Sequence, residues 1–479
     1  MSDSVVYLRC IKPTCGGTRS VTECEFTCPR CGDLLDVTYD WQRLPVPRSL
    51  RDLEANRHPS VGRWFQRGSR SSEASPLFRR SGVWRFWELL PVAPPEEVLT
   101  IGEGQTLLLR ADRVGEYIGL RSGCLHLQYE GLNPSGSFKD NGMTAAFTHA
   151  RMVGARRAAC ASTGNTSASL ALYAAATGQM RAIIFIGSGK IAFGKLAQAL
   201  DHGALTLQIH GDFDDALERV RQAAGRLSLY LVNSINPFRL EGQKTIMYRV
   251  LEGLEWRIPD WIVVPAGNLG NLSAFGKAFL ELRELGLIER MPRLAAVNAA
   301  GADTLYRLWN DHQLRWHGGA WEKARAESYF HHLKETQRKA STIASAIEIN
   351  RPVNLPKALR SLEVSDGIVC TVCDEEILEA KARIGAGGLG CEPASAASVA
   401  GARKLRHQGV IAADELVVCV LTGHPLKDPN VTVACHGTDE HLFQEVLGKR
   451  GFGRIASANP PVSVPNDLER IISVIEART

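Results

Sequence analysis

The chain has 479 residues, of which 44% are apolar, 22% charged and 7% aromatic. These proportions are typical of globular proteins and exclude a disordered, collagen-like or disulfide-scaffold chain. Lysine and arginine total 56, aspartate and glutamate total 51, and a net charge of +5 over this length indicates neither a nucleic-acid nor a membrane partner. No apolar run approaches the roughly 18 residues of a membrane span, and residues 1–29 lack the apolar core of a signal peptide, so we expect a cytoplasmic protein.

Residues 1–40 form a cysteine-rich segment that resembles a zinc ribbon. Two pairs of cysteines, each pair followed by a glycine, have the form of its two knuckles: Cys10, Cys15, Cys28 and Cys31. Four thiolates suit tetrahedral structural zinc. The first knuckle is longer than usual and Cys24 confuses the register, so bound zinc and a vestigial ribbon without metal both stay open.

Residues 41–100 show little periodicity and contain several prolines, which predicts an irregular connector with a few short helices. From residue 101, short apolar runs alternate with longer helical ones, which predicts parallel α/β sheets. The predicted strands, in chain order, are 124–129, 181–186, 205–209, 261–264, 294–297 and 416–421. The predicted helices are 142–154, 168–176, 191–202, 213–227, 273–285 and, in a C-terminal tail, 466–478.

Ligands of open α/β sheets bind beyond the carboxyl ends of the strands, so the strand-to-helix junctions are the places to search for chemistry. At the first junction, residues 131–140, small and turn-forming residues deliver Lys139 to the start of a helix. The positive end of a helix favours a neutral amine, which can attack an aldehyde or act as a base. A lysine that merely reaches solvent is the alternative interpretation.

Three further junctions are chemically unusual. Residues 162–167 place hydroxyl and amide groups around one glycine before an apolar helix, which indicates a carboxylate or phosphate site more than a simple helix cap. The glycine-rich turn 267–271 can close backbone N–H groups on a phosphate, although it is neither a Walker A nor a dinucleotide motif. Thr422 adds a hydroxyl at the end of the last strand. An aldehyde, a phosphate and a polar ring together describe pyridoxal phosphate.

Several strings then carry a resemblance to a known family. They are GEGQT (102–106), NPSGSFKD (133–140), ASTGNTS (161–167), KIAFGKLAQ (190–198), NSINPFRLEGQKT (233–245), GNLGN (267–271) and EPASAAS (392–398). In this order, over about residues 85–430, the chain resembles the threonine synthase family of the fold type II (tryptophan synthase β-like) pyridoxal phosphate enzymes. Asn141 departs from the pattern, since arginine or leucine is more usual there.

The resemblance implies two parallel-sheet α/β domains preceded by the zinc-ribbon-like segment. Residues 101–150 and 245–430 would form the large, cofactor-binding domain and residues 151–244 the small domain. Residues 1–40, 41–100 and 431–479 would be the ribbon, the connector and the C-terminal tail. A homodimer is an open alternative to a monomer.

The resemblance also implies roles for single residues. Lys139 would be the catalytic residue that forms the Schiff base with the cofactor and later moves protons. The other cofactor-binding residues would be Asn165 at the phenolic oxygen, Gly267, Asn268, Leu269, Gly270 and Asn271 at the phosphate, and Thr422 at the ring nitrogen. The substrate-binding residues would be Ser162, Thr163, Thr166, Ser234 and Arg239. As a neutral hydroxyl, Thr422 would temper the electron sink of the ring.

The implied reaction is the conversion of O-phospho-L-homoserine and water to L-threonine and phosphate. The alternatives are a serine/threonine dehydratase or a cysteate synthase-like enzyme of the same fold, and a catalytically silent zinc-bearing protein, against which Lys139 argues. Arg239 argues against the dehydratase alternative, since a dehydratase substrate has no phosphate for this arginine to bind. We expect Arg239 in a turn before a helix that begins near Gln243, where a surface ion pair with Glu241 is the other interpretation.

Overall fold

The structure is a computed structural model that describes residues 4–57, 80–187, 193–210 and 213–478. The chain divides into two compact units, Met1–Asp428 and Pro429–Thr479. Among the described residues, no helix has both the length and the apolar composition that crossing a bilayer would require.

The N-terminal segment is a small antiparallel sheet. Its strands are β1 (Val6–Cys10), β2 (Thr18–Ser20) and β3 (Leu35–Tyr39), in the order β2-β1-β3. Short 3-10 helices follow it in the described part of residues 41–100, where a few short helices were predicted. They are Trp41–Arg43, Leu50–Arg57, Trp84–Leu89 and Pro95–Glu97.

The largest sheet has six strands: β4 (Leu107–Arg110), β5 (Leu125–Tyr129), β10 (Trp261–Pro265), β11 (Arg293–Ala299), β12 (Ile368–Val372) and β13 (Val417–Leu421). Their order is β12-β11-β10-β13-β5-β4, and all pairs are parallel except β4 with β5. The two central strands, β10 and β13, are apolar and buried along their whole length because helices cover both faces of the sheet.

A second, fully parallel sheet has four strands in the order β8-β7-β6-β9. They are β6 (Arg157–Ala161), β7 (Arg181–Gly187), β8 (Leu205–Ile209) and β9 (Tyr230–Leu231). The predicted strands 181–186 and 205–209 are confirmed, whereas β6 and β9 had not been predicted.

The helices of the first unit alternate with these strands. They are α1 (Asp112–Ile118), α2 (Lys139–Met152), α3 (Asn165–Thr177), α4 (Phe193–Asp201), α5 (Phe213–Leu227), α6 (Pro237–Gly253), α7 (Gly270–Glu284), α8 (Lys323–Glu335), α9 (Leu355–Val364), α10 (Asp374–Ala386) and α11 (Pro393–His407). Shorter helical turns lie at Glu130–Leu132, Ala300–Ala302, Thr304–Tyr306, Arg307–Asp311, His317–Gly319, Ser345–Ile347 and Pro425–Lys427.

The main hydrophobic core lies on one face of the six-stranded sheet, where α6, α7 and α9 pack. Alternate residues of the strands, such as Ile262 and Val264, point into it, as the two-residue period of a strand requires. On the other face, α11 comes so close to β11 that a Cβ on Gly401 would lie 2.4 Å from a methyl carbon of Val297.

Charged side chains join the N-terminal sheet to α6, α7 and α9. We call this group the buried ionic cluster: Asp36, Tyr39, Glu241, Lys244, Lys277, Glu281, Lys357 and Arg360. Asp36 accepts from Lys357 at 2.8 Å and from Arg360 at 2.6 Å. Burial alone would raise the pKa of Asp36, but the charges of Arg360 and Lys357 outweigh it and hold that pKa well below its usual range.

The second unit consists of the helices α12 (Pro429–His436), α13 (Glu440–Val446) and α14 (Leu468–Glu476), with a 3-10 turn at Gly448–Arg450. The predicted helix 466–478 therefore corresponds to α14. Asp467 caps this helix by accepting from the backbone N–H of Arg470 at 2.9 Å.

Candidate active site

The segment that carries Lys139 is held by the continuation of strand β13. The backbone N–H of Phe138 donates to the carbonyl of Thr422 at 2.9 Å, and the N–H of His424 donates to that of Gly136 at 2.9 Å. Lys139 is the first residue of α2, as predicted for the start of a helix, and its Nζ lies 4.2 Å from the centroid of the Phe138 ring. The lysine therefore starts a helix directly beside the end of the central strand.

A buried polar network around Glu130 supports the segment that carries Lys139. The carboxylate of Glu130 accepts from Arg249 at 2.9 Å, from Asn141 at 2.6 Å and from Asn133 at 2.9 Å. Although burial raises the pKa of Glu130, the Arg249 charge and these hydrogen bonds lower it overall. Asn141, the residue that departs from the family pattern, also accepts from Arg249 at 2.9 Å, so it connects the two buried charges.

Asp140, next to the lysine, fixes the loop before it. Its carboxylate accepts from the backbone N–H of Ser135 at 2.6 Å, from the Ser135 hydroxyl at 2.7 Å and from the Ser169 hydroxyl at 2.5 Å. Burial raises the pKa of Asp140 to about 6 despite these three donors. The loop and α3 are thereby joined through a single carboxyl group.

Asn165 and Thr422 meet at a buried glutamate to which the sequence reasoning assigned no role. The Asn165 amide nitrogen donates to the two carboxylate oxygens of Glu392 at 2.9 and 3.1 Å. The Thr422 hydroxyl lies 3.4 Å from the same carboxylate and 2.9 Å from the Ser395 hydroxyl. Thr422 is thus not an isolated neutral hydroxyl, because the Glu392 carboxylate lies within hydrogen-bonding distance of it. The one available signal was the position of Glu392 in the EPASAAS string.

The polar turn after β6 lies beside the segment that leads to α6. Asn233 joins them, since its side chain donates to the carbonyl of Ala161 at 3.0 Å and accepts from the Ala161 N–H at 3.2 Å. Ser162 and Thr163 follow Ala161 directly, and Thr166 is buried in the first turn of α3. Ser234 follows Asn233, so the two hydrogen bonds bring the segments that carry four of the five predicted substrate-binding residues together in space.

Arg239, the fifth, lies inside α6 and not in a turn. The helix begins at Pro237, six residues earlier than predicted, because proline suits the first helical position and Asn236 caps it by accepting from the Phe238 N–H at 3.0 Å. The surface ion pair with Glu241 is wrong, since Arg239 is 1% exposed and Glu241 binds Lys244.

The Arg239 guanidinium is incompletely satisfied. Its Nη1 donates to the carbonyl of Val232 at 2.7 Å, whereas its buried Nε and Nη2 have no hydrogen-bond partner among the described residues. Burial lowers the pKa of this arginine to about 10. A buried guanidinium with unused donors is expected where an anionic ligand binds.

The turn 267–271 is built to approach a ligand with its backbone. Leu269 has a positive φ of 65°, and α7 begins at the next residue, Gly270. A Cβ on Gly267 would lie 3.0 Å from the Cα of Ile347, and one on Gly270 would lie 3.1 Å from the Gln243 side-chain oxygen. Because the first N–H groups of a helix have no partner within it, the start of α7 can donate to a phosphate.

These segments form what we call the strand-end site, since each follows the carboxyl end of a strand. Buried polar atoms that have no partner in the described part of the chain gather here: Ser137 Oγ, Asn165 Oδ1, Arg239 Nε and Nη2, Gln243 Oε1 and Asn271 Oδ1. Together with Lys139 and the open end of α7, they fit a ligand with a carbonyl, a phosphate and further polar atoms. Lys190, in the KIAFGKLAQ string, lies outside the described residues.

A second candidate centre is the cysteine quartet of the N-terminal segment. The Sγ atoms of Cys10, Cys15, Cys28 and Cys31 all lie within 4.8 Å of one another. Sulfur atoms around a tetrahedral zinc, with bonds of about 2.3 Å, are about 3.8 Å apart. Cys24 is exposed and is not part of the quartet.

The comparisons with known proteins agree with this chemistry. The model of the family described as pyridoxal-phosphate dependent enzyme matches residues 99–423. Threonine synthase of Methanocaldococcus jannaschii is 40% identical over 426 residues, which are 89% of this chain and 94% of that protein. The chain belongs to the threonine synthase family of the pyridoxal-phosphate dependent enzymes. The resemblance inferred from the motifs is therefore confirmed.

Further relatives extend the match. Threonine synthase of Methanosarcina acetivorans is 41% identical over 430 residues, 89% of this chain and 93% of that protein. The crystal structure of threonine synthase from Escherichia coli superposes with a TM-score of 0.61 at 19% identity, over 99% of this chain and all of that one, which supports the fold. The predicted fold class, α/β of the type II pyridoxal phosphate enzymes, is confirmed.

Proposed function

We propose that this enzyme is a threonine synthase that converts O-phospho-L-homoserine and water to L-threonine and phosphate. The observation that carries the proposal is Arg239, a buried arginine whose Nε and Nη2 have no partner within the described residues, at a site that also offers Lys139. A substrate with a phosphate gives that guanidinium its missing partner. The relatives from Methanocaldococcus jannaschii and Methanosarcina acetivorans are both named threonine synthase, which supports the proposal.

The chain would use its residues as follows. When bound, pyridoxal phosphate withdraws electrons from the bonds at the α-carbon of an amino acid. Lys139 would hold the cofactor through its Nζ, and the same amine would remove protons from the α-carbon and the β-carbon of the substrate. Asn165 and Thr422 would hold the ring, and residues 267–271 with the N-terminus of α7 would hold the cofactor phosphate.

The substrate is held by a separate set of side chains. Ser234 and Arg239 would bind its phosphate, which leaves from the γ-carbon with the electron pair of the C–O bond. The γ-carbon then takes up a proton, the hydroxide of water adds at the β-carbon, a proton returns to the α-carbon, and the phosphate takes the remaining proton of the water. Three residues in the turn before α3 and in its first turn would bind the substrate's carboxylate or phosphate: Ser162, Thr163 and Thr166. Several groups of the strand-end site are almost fully buried, including Thr422 at 5% exposure, so bulk water is excluded around them.

The test is a comparison of three compounds on the cofactor-loaded protein. We expect phosphate and L-threonine from O-phospho-L-homoserine, and much slower phosphate release from O-phospho-L-serine. Faster release from O-phospho-L-serine would favour the cysteate synthase-like alternative. Formation of a keto acid from L-threonine, without use of either phosphorylated compound, would favour a dehydratase.

We also propose that the cysteine quartet binds one structural zinc ion. The sulfur separations of 3.5 Å for Cys10 with Cys31 and 3.6 Å for Cys15 with Cys28 support this ligand set. Metal analysis of the purified protein should find about one zinc per chain. Cys28→Ser should lose the metal, and Cys24→Ser, the matched control, should retain it. A metal-free, fully folded wild type would demote the segment to a vestigial ribbon.

The domain boundaries are a proposal as well. We assign residues 101–150 and 245–430 to the cofactor-binding domain and residues 151–244 to the small domain. In support, every strand of the six-stranded sheet falls in the first set and every strand of the four-stranded sheet in the second.

A further inference from the structure

A cluster of four rings lies between the N-terminal segment and the start of α6. Phe26, which stands between Cys24 and Cys28, packs edge-on against Tyr230 with centroids 5.6 Å apart and against Phe238 at 6.4 Å. His149 of α2 stacks on Phe238 at 3.6 Å. We call these four residues the aromatic cluster.

Hydrogen bonds of His149 also fix the aromatic cluster. His149 Nδ1 lies 2.7 Å from the Tyr230 hydroxyl, and His149 Nε2 lies 2.5 Å from the carbonyl of Val21. A backbone carbonyl only accepts, so Nε2 carries the hydrogen and Nδ1 accepts from Tyr230. Burial lowers the pKa of His149 to about 4, which agrees with this neutral form. The N-terminal segment thus contributes both a ring and a carbonyl to the cluster.

Two rings of the aromatic cluster flank the segment that carries the proposed phosphate-binding residues. Tyr230 begins β9 and Phe238 is the second residue of α6, so the two rings bracket residues 231–237, with Ser234 between them and Arg239 next. Phe26 and His149 each contact both rings. They therefore hold together the two ends of the segment that carries the proposed phosphate-binding residues.

Arg239 itself is oriented from within this segment. Its Nη1 donates to the carbonyl of Val232, and the Val232 N–H donates to the carbonyl of Ala159 at 2.9 Å. A shift of Tyr230 displaces Val232, and hence the acceptor that directs the guanidinium. Misplacement of a binding group by about 1 Å can lower a rate by a factor of about one hundred.

We propose that Phe26, together with His149, is a positioning residue for substrate phosphate binding. Through these contacts the N-terminal segment keeps residues 230–239 in the position that phosphate binding requires. This inference rests on the proposed function, since it assigns the phosphate of the substrate to Ser234 and Arg239. It assigns the cysteine-rich segment a part in substrate affinity, in addition to any structural metal.

The test separates substrate binding from cofactor binding and from folding. Phe26→Ala should raise the KM for O-phospho-L-homoserine about tenfold and weaken the binding of inorganic phosphate, followed through the absorbance of the bound cofactor, by a similar factor. Cofactor content and kcat should change little. Phe26→Leu, which refills most of the space, should restore most of the affinity.

The matched control is Asp40→Asn, which weakens another contact of the same segment, the 3.8 Å ion pair with Arg43, far along the chain from residues 230–239. It should leave KM and phosphate binding unchanged. If Phe26→Ala fails to fold, Phe26→Leu and His149→Gln should still show a rise in KM of a few fold. Unchanged phosphate affinity in all Phe26 and His149 variants would overturn the inference. A wild type without phosphate release would instead overturn the proposed function.

Discussion

Helices α6 and α7 take part in two buried polar regions that differ in how completely their groups are paired. In the buried ionic cluster, Lys244 binds Glu241 and Glu281 at 2.7 Å each, and Lys277 binds both glutamates as well. In the strand-end site, Gln243 Oε1 and Asn271 Oδ1 of the same helices have no partner in the described part of the chain.

This difference in pairing distinguishes buried polar residues that stabilise the fold from those that bind a ligand. Burial of a charge without a partner is costly, so an enclosed ionic group is normally paired within the fold. Where a folded chain keeps buried polar atoms unpaired, the missing partner is usually a ligand or water. Paired residues such as Glu241 should therefore affect stability when they are changed, whereas unpaired ones such as Arg239 should affect binding.

The largest effect is expected at Lys139. Lys139→Ala should abolish covalent attachment of pyridoxal phosphate and all turnover, because the amine that starts α2 is removed while the packing around it is kept. Visible absorbance and borohydride reduction followed by peptide mapping measure this directly. The exposed lysine variant Lys323→Ala should behave like the wild type. A reducible chromophore that survives in Lys139→Ala would refute the assignment.

Asp36 tests the paired region. Asp36→Ala leaves the buried Lys357 without its carboxylate and should lower the free energy of unfolding by about 3–5 kcal/mol in urea denaturation. Asp414→Ala, which breaks the exposed 3.7 Å pair with Arg121, should cost under about 1 kcal/mol. Because the pKa of Asp36 is lowered in the fold, its contribution is present above about pH 4 and is lost as the pH falls. Equal losses in the two variants would remove the distinction between the regions.

Asp140 gives the opposite pH dependence. Its pKa is raised to about 6, so the protonated carboxyl stabilises the fold below about pH 4, and this contribution is lost as the pH rises through 6. Asp140→Asn keeps an acceptor for the Ser135 N–H and should remove this loss. Relative to the wild type, it should gain about 3 kcal/mol of stability between pH 4 and pH 7. A constant difference between the two stability curves would contradict the raised pKa.

Arg239 should show the smallest effect in free energy and the most specific one. Arg239→Ala removes a charge-assisted contact of roughly 1.5–3 kcal/mol and should lower kcat/KM for O-phospho-L-homoserine at least about tenfold. The spectrum of the bound cofactor should be unchanged. Arg239→Lys should recover only part of the loss, because an ammonium cannot bind a phosphate with two parallel hydrogen bonds. Loss of the cofactor in either variant would instead indicate a structural role.

Much of the fold could be predicted from the sequence, in the regions where apolar residues recur with a clear period. Strands 181–187 and 261–265 are mostly buried runs rich in isoleucine or valine, whereas strand 205–209 is largely exposed and alternates leucine with polar residues. The positions of all three were predicted within a residue or two. Helix α11 was missed because its first ten residues are mostly alanine and serine and are all buried, so they show no apolar stripe.

The strand-end site was predictable only in part. Motifs next to strand ends revealed Lys139 and the 267–271 turn, because those signals are local. The contact between Asn165 and Glu392 joins residues 227 positions apart, and no local pattern shows it. The exclusion of Cys24 from the cysteine quartet likewise follows from the distances between sulfur atoms and not from their spacing in the chain.

The attachment of strand β3 to helix α9 also has a consequence for synthesis of the chain. The Leu35 carbonyl accepts from Lys357 Nζ, 322 residues later, at 2.6 Å. At about 5–20 residues per second, a ribosome needs roughly 15–65 s to deliver the lysine after the strand. During that interval Asp36 lacks the cations of helix α9, although Phe26 can already pack against Phe238 and Tyr39 can already contact Glu241. The docking of the first forty residues is therefore completed only when most of the polypeptide has left the ribosome.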